Sequence, residues 1–215
     1  NPAGPFKARS KPMKGSYSID PTTFVDDDGS AYMYFGGIWG GQLQQWESGE
    51  FDPQGSLTDL GVASNPAIMP RMAKLKDNML EFDEDVKHIQ ILNQSGKPIL
   101  TRELEIRFFE APWIHKIGDV YYLSYSTGDT HNLVYATGDN PYGPFTFQGI
   151  LGEPVQGWTN HHSTIKINDQ WYLFYHDTEI SGKTHLRNVK FSQFKHNDDG
   201  SISPIKTYFG SDWKF

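Results

Sequence analysis

The sequence contains no cysteine, which excludes disulfide frameworks, cysteine-based zinc sites and thiol nucleophiles. Basic residues are also few, with 19 Lys and Arg against 26 Asp and Glu and a formal net charge of −7. Nucleic acids and anionic membranes require a basic surface, so we expect neither as a partner. No apolar run approaches the roughly 20 residues of a membrane-spanning helix. The 215 residues are enough for one well-packed domain.

Helical patterning is scarce as well, because no sustained apolar spacing of three and four residues occurs. Short alternating segments dominate instead, at residues 31–35, 120–125 and 170–175. They are rich in aromatic residues, as strands are, and turn residues bound them. Hairpin turns are predicted at five places: residues 28–29, 95–96, 117–119, 168–169 and 199–200. The sequence therefore predicts an all-β fold.

An internal repeat is present. Residues 20–35, 110–125 and 160–175 align with one another, and one tyrosine of each segment coincides with those of the other two. Each segment has the pattern of a strand, a tight turn and an aromatic strand, which is typical of a propeller blade. A β-sandwich built of similar hairpins is the alternative that the repeat leaves open.

The repeat predicts three blades, which start near residues 20, 110 and 160, and residues 1 to about 10 resemble the tail of an earlier blade. A closed propeller needs at least four blades. We therefore expect residues 1–215 to be the C-terminal part of a single β-propeller domain. Because an open propeller exposes apolar blade faces, we also expect the N-terminal fragment as a companion chain.

Asp20 and Glu110 are two carboxylates at equivalent positions of the repeat. Asn160 occupies the same position in the third segment, and His161 is its neighbour. The inner strands of a propeller converge on its axis, so these side chains are predicted to meet at one axial mouth. Paired carboxylates in a cleft suit the cleavage of a glycosidic bond. Apolar neighbours in the sequence favour the protonated form of Glu110 and predict that it is the acid. A structural hydrogen bond for Glu110 and an Asx turn for Asp20 are the alternatives.

Aromatic side chains suited to sugar stacking are abundant. Trp39 lies in a glycine-rich loop, residues 36–41, where its ring is expected either to stack on a sugar or to pack internally. Trp158 is a further available platform, whereas Trp171 alternates within a strand and is predicted to be core. The acidic run at residues 26–29 predicts a hairpin turn more simply than a calcium loop.

Four histidines have no clustered partner in the sequence. We expect them to be solvated or hydrogen-bonded groups at the surface: His88, His115, His185 and His196.

Four segments together resemble the signature segments of glycoside hydrolase family 43: residues 17–29, 108–113, 158–163 and 186–189. Residues 36–43 and 126–131 are most similar to its β-xylosidase and α-L-arabinofuranosidase branch. The resemblance covers essentially the whole chain. It implies a five-bladed propeller, of which this chain supplies about three blades plus the tail of another, and hydrolysis with inversion at the anomeric carbon.

The resemblance also implies roles for individual residues. Glu110 matches the general acid, and Asp20 matches the carboxylate that orients the acid and raises its pKa. Arg187 matches a sugar-binding arginine, and His161 matches a channel histidine that lies beside a calcium or sodium ion in many members. The family's general base is expected in the part that precedes this chain, so the isolated fragment is expected to be inactive.

The function predicted is removal of terminal xylose from β-1,4-xylo-oligosaccharides, with α-L-arabinofuranosyl groups as further substrates. Xylo-oligosaccharides or arabinoxylan fragments are thus the expected partners, and no cofactor is required apart from a structural calcium or sodium ion. A non-catalytic carbohydrate-binding propeller and an endo-arabinanase of the same fold are the alternatives. The sequence leaves secreted, periplasmic and cytoplasmic locations open.

Overall fold

The computed structural model describes residues 3–56, 63–128, 130–157 and 160–207, and they form three sheets. The first blade contains strands β1 (Thr22–Val25), β2 (Ala31–Phe35), β3 (Arg71–Leu75) and β4 (Lys87–His88). The second contains β6 (Glu110–Ile117), β7 (Val120–Ser126), β8 (Leu133–Gly138) and β9 (Phe145–Gly152), with β5 (Ile91–Leu92) parallel to β9. The third contains β10 (His162–Ile167), β11 (Gln170–Asp177) and β12 (Asn188–Phe194).

The three sheets are arranged as blades of a propeller. Strand β6 begins the second blade and contacts β1 and β2 of the first blade on one side and β10 of the third on the other. The all-β prediction is therefore confirmed, and the chain forms a partial propeller. No helix of the described segments is long and apolar enough to cross a membrane.

Tight turns join the first two strands of each blade, as the sequence predicts. Asn168 and Asp169 adopt positive φ angles of 49° and 65° between β10 and β11, a conformation that hairpin turns require and Asn and Asp tolerate. In the first blade the turn closes with a hydrogen bond of 2.8 Å, which the backbone N–H of Asp26 donates to the carbonyl of Ser30. The acidic run is thus a hairpin turn.

The core lies between the blades. Side chains alternate along β7, so Tyr121 packs towards the first blade while Tyr122 packs towards the third. One apolar cluster joins the first and second blades and includes Tyr34, Met72 and Leu123. The other joins the second and third blades. Each fully buried large side chain contributes about 2 kcal/mol to folding relative to an exposed one.

His115, one of the four histidines predicted to lie at the surface, is buried instead, so the prediction is wrong for it, and its partner His196 is half-buried. The ring of His115 stacks on Tyr122 with 4.9 Å between centroids, and its Nε2 atom lies 3.0 Å from Nε2 of His196. Burial lowers the pKa of His115 to about 3 and that of His196 to about 4. The pair is therefore neutral at pH 7, with one Nε2 donating to the other. Its members are 81 residues apart, so local sequence gives no sign of it.

The outer side of the third blade is apolar and exposed. Ile165, Val189 and Phe191 are 48%, 75% and 46% exposed, and Phe191 packs against Phe174 with 5.7 Å between ring centroids. Tyr172 is paired with Ile165 across the sheet. We call these five residues the open face of the third blade. The opposite side of the same sheet is buried against the second blade.

Candidate active site

A β-bulge orients Glu110 at the start of the second blade. Glu110 pairs with Ser126 and Trp113 pairs with Ser124, so β6 has one more residue than β7 between these pairs. The extra residue is accommodated by Ala111, whose φ angle is +57°. Bulges of this kind redirect a side chain and are common beside active sites.

Asp20 lies immediately before the first strand of the first blade, with a φ angle of +58°. Its Oδ2 atom accepts a hydrogen bond of 3.2 Å from the backbone N–H of Ala111, next to Glu110. Its Oδ1 atom lies 3.5 Å from Nδ1 of His161 on the third blade. Asp20 therefore joins all three blades at the axial end of the propeller.

The environment of Glu110 holds its carboxyl group protonated. Burial, followed by the negative charge of Asp20 as the second cause, raises the pKa of Glu110 from 4.5 to about 7. The positive charges of His161 and Arg187 oppose this rise and are the smaller effects. A carboxyl group with a pKa near 7 can donate a proton at neutral pH and accept one in return.

One cavity brings together five of the site residues predicted from the sequence. It has a volume of about 290 Å³, and its walls include Asp20, Trp39, Glu110, His161 and Arg187. Trp39 is 37% exposed, and its ring packs edge-to-face on Phe109 with 5.4 Å between centroids. The Trp39 ring is thus held by a neighbour and still accessible from the cavity. Trp158 lies outside the described residues.

Two contacts that support the site were not predicted from the sequence. The backbone N–H of His161 donates to Nε2 of His176 at 3.0 Å, which fixes the segment that carries His161. Arg187 is the last residue of a loop that starts after Asp177. At the base of this loop, Nζ of buried Lys190 lies 2.5 Å from Oδ2 of Asp177 and also pairs with the carboxylate of Glu179. The partners are 15 residues apart in the first contact and 11 or more in the second, so the local sequence gives no signal of them.

The profile described as "Glycosyl hydrolases family 43" matches residues 1–202. The chain belongs to this family. A family 43 relative, a xylosidase/arabinosidase of Humicola insolens, is 53% identical over 206 residues, which are 94% of this chain and 63% of that protein. A xylosidase/arabinosidase of Bacteroides ovatus is 49% identical and is covered to 62%. The chain thus spans less than two thirds of the curated relatives it matches.

Solved structures of family 43 agree with the fold. A β-xylosidase/α-arabinofuranosidase from a compost metagenome, in complex with xylotriose and in a calcium-free form, superimposes with a TM-score of 0.94 at 58% identity, covering 98% of this chain and 64% of that one. A Xanthomonas citri enzyme in complex with xylose superimposes with a TM-score of 0.93 at 48% identity, covering 99% and 64%. The three sheets of this chain are accordingly blades of the family's five-bladed β-propeller.

The fit of a metal ion can be judged from the donors present. Within the four described ranges, no group of three or more His, Asp or Glu side chains is placed to hold a metal ion. His161 offers one imidazole, with Asp20 as its neighbour, whereas calcium takes six to eight oxygen ligands. These residues alone do not fit a calcium site, so the ion beside His161 stays a prediction and no step of the reaction is assigned to it.

Proposed function

We propose that the full-length protein is an inverting glycoside hydrolase that removes terminal xylose from β-1,4-xylo-oligosaccharides and also acts on α-L-arabinofuranosyl groups. The observation that carries the proposal is the pairing of Asp20 with Glu110 in one cavity, where the pKa of Glu110 is raised to about 7. The names of the relatives, xylosidase/arabinosidase and β-xylosidase, support the substrate class, as does the xylotriose bound to a solved relative.

In this proposal Glu110 is the general acid. It donates its proton to the glycosidic oxygen as the bond to the anomeric carbon breaks, so that the leaving sugar departs as a neutral alcohol. The carboxylate of Asp20 beside Glu110 favours the protonated form of the acid. The hydrogen bond from Ala111 holds the Asp20 carboxylate in this place.

The remaining cavity residues bind the sugar. The guanidinium group of Arg187 presents several N–H donors in a fixed plane, which suits neighbouring hydroxyl groups of a pentose. The exposed part of the Trp39 ring offers an apolar surface for stacking on the pentose ring. His161 lies between Asp20 and the solvent, where its imidazole can form a hydrogen bond with a hydroxyl group.

Inversion also requires a carboxylate that activates water on the opposite side of the sugar, at about 6.5–9.5 Å from the acid. We assign this general base to a part of the enzyme that relatives possess outside the region matched by this chain. The open face of the third blade is the surface that a further blade of such a part would cover. The isolated 215 residues are therefore expected to be inactive, and the missing part is the expected companion.

The experiment replaces Glu110 with alanine in the full-length enzyme and measures kcat/KM on xylobiose and on 4-nitrophenyl β-xyloside. We expect a loss of about 100-fold or more on xylobiose, because its leaving group must be protonated. The loss on the nitrophenyl substrate should be much smaller, because nitrophenolate leaves without a proton. Glu50→Ala, at an exposed position, is the matched control. Unchanged turnover of xylobiose by Glu110→Ala would refute the proposal.

The stereochemistry is tested on the unmodified enzyme. Proton NMR of the first turnovers should show α-xylose formed from a β-linked substrate and its later conversion to the equilibrium mixture. Initial formation of β-xylose would contradict inversion and would leave the role of Glu110 as a proton donor intact.

A further inference from the structure

The hydroxyl group of Ser18 is hydrogen-bonded to both backbone polar atoms of one residue, Gly37. Its Oγ atom accepts a hydrogen bond of 3.0 Å from the N–H of Gly37 and donates one of 3.3 Å to the carbonyl oxygen of Gly37. Gly37 lies in the loop that carries Trp39, and Ser18 lies two residues before Asp20. The role of this serine does not follow from the reaction described above.

The contact closes a ring of hydrogen bonds around the two carboxylates. Ser18 joins Gly37, the N–H of Ile38 donates to the carbonyl of Phe109 at 2.9 Å, and the N–H of Ala111 donates to Asp20 at 3.2 Å. The ring thus links three chain segments, residues 18–20, 37–38 and 109–111. Asp20 belongs to the first segment and Glu110 to the third, so the ring determines how far apart they are.

Close packing inside the ring leaves little freedom for its members to move. A Cβ atom built on Gly37 would lie 2.7 Å from Cδ1 of Ile19 and 3.2 Å from Cβ of Glu110. The backbone of Gly37 is therefore in direct contact with the residue that bears the acid. A displacement of this loop would be transmitted to Glu110 through this contact and through the Ile38–Phe109 hydrogen bond.

The ring also holds strained backbone conformations in place. Ser18, Asp20 and Ala111 have φ angles of +67°, +58° and +57°, in the left-handed region that residues other than glycine avoid. Such conformations persist only where surrounding contacts determine them fully, and they concentrate at functional sites. Here three of the four hydrogen bonds of the ring are made by these residues.

From these contacts we infer that Ser18 is a positioning residue, which sets the distance between Asp20 and Glu110 by fixing the Gly37 peptide. The inference rests on the function proposed above. If the hydroxyl group is lost, the hydrogen bond of 2.8 Å from the Gly36 N–H to the Ile19 carbonyl still joins the two segments. The Asp20 segment is then held less firmly against the loop, and the carboxylate moves away from the acid. Glu110 faces three charged or titratable groups, Asp20, His161 and Arg187, and only the first favours its protonated form. Its proton is then lost at lower pH.

Two variants of the full-length enzyme test the inference. Ser18→Ala removes the hydroxyl group, and Ser18→Gly removes it while also accepting the positive φ angle without strain. Both should shift the alkaline limb of the kcat/KM profile on xylobiose to lower pH by about half a unit. At pH 7 both should reduce turnover of xylobiose about three- to tenfold, and turnover of 4-nitrophenyl β-xyloside less. Ser16→Ala is the matched control, because the Ser16 hydroxyl donates to the Met13 carbonyl outside the ring.

Each outcome decides one point. The inference is overturned if Ser18→Gly leaves unchanged both the alkaline limb and the ratio of kcat/KM on xylobiose to kcat/KM on 4-nitrophenyl β-xyloside. This holds even where thermal unfolding shows that the variant is less stable. A shift in Ser18→Ala alone would assign the effect to backbone strain and also overturn it. These results are distinct from failure of the proposed function, which would appear as xylobiose turnover that survives Glu110→Ala.

Discussion

Replacing Glu110 by glutamine is expected to stabilise the full-length enzyme in a way that depends on pH. The pKa of Glu110 in the folded protein is raised from 4.5 to about 7, so the folded state binds this proton more tightly than the unfolded state does. The stability that the group contributes is complete below pH 4.5 and declines as the pH rises towards 7. Glutamine carries no titrating proton, so the variant lacks this decline.

The magnitude follows from the two pKa values. Ionising Glu110 in the folded protein costs up to about 3 kcal/mol relative to ionising it in the unfolded chain. The larger part arises from burial and the smaller part from Asp20. Glu110→Gln should therefore match the wild-type enzyme near pH 4.5 and exceed its unfolding free energy by about 2–3 kcal/mol at pH 8.

Thermal unfolding at the two pH values measures the effect, with an expected rise of about 5 °C in Tm at pH 8 and almost none at pH 4.5. Glu50→Gln is the control, because Glu50 is exposed and its replacement should act equally at both pH values. An equal rise in Tm at pH 4.5 and pH 8 would show that the surroundings do not raise the pKa of the Glu110 carboxyl group. The assignment of Glu110 as the acid would then lose its physical basis.

Three further variants test other parts of the structure. Lys190→Met leaves the buried carboxylate of Asp177 unpaired and should lower the unfolding free energy by about 3 kcal/mol in guanidinium titrations. Trp39→Ala should raise KM for xylobiose about tenfold and change kcat less, as steady-state kinetics would show. His115→Phe should lower the unfolding free energy at pH 7, because His196 loses its hydrogen-bond partner. The further decrease in unfolding free energy between pH 7 and pH 4 should be smaller in the variant than in the wild-type enzyme, because the pKa of His115 in the folded protein lies near 3 and the variant lacks this titrating group. Denaturation midpoints at both pH values measure the two effects.

The fold could be predicted because its signals are local and repeated. Aromatic alternation with a period of two identifies strands such as β7 and β11, and the residues between them identify the turns. The repeat then places Asp20 and Glu110 at equivalent positions of two blades. Blades converge on an axis, so sequence equivalence becomes spatial proximity, and the cavity contains both carboxylates.

The contacts that hold the site together could not be predicted in this way. His115 and His196 form a pair through positions that the repeat does not relate, and the hydrogen bonds of Ser18 depend on a backbone conformation that serine seldom adopts. A positive φ angle at glycine has a sequence signal, whereas the same angle at Ser18 or Ala111 has none. Such residues are identified only when the tertiary structure shows what imposes the conformation on them.

The bulge at Ala111 shows how sequence and site depend on each other. With regular pairing from Trp113 onward, Ala111 would lie opposite Ser126, but the extra residue places Glu110 there instead. Because adjacent residues of a strand point to opposite faces, this shift of one position decides on which side the acid emerges. The same residue donates its N–H to Asp20. The backbone at position 111 thus directs the acid and also anchors the carboxylate that controls it, so the two carboxylates cannot be positioned independently of each other.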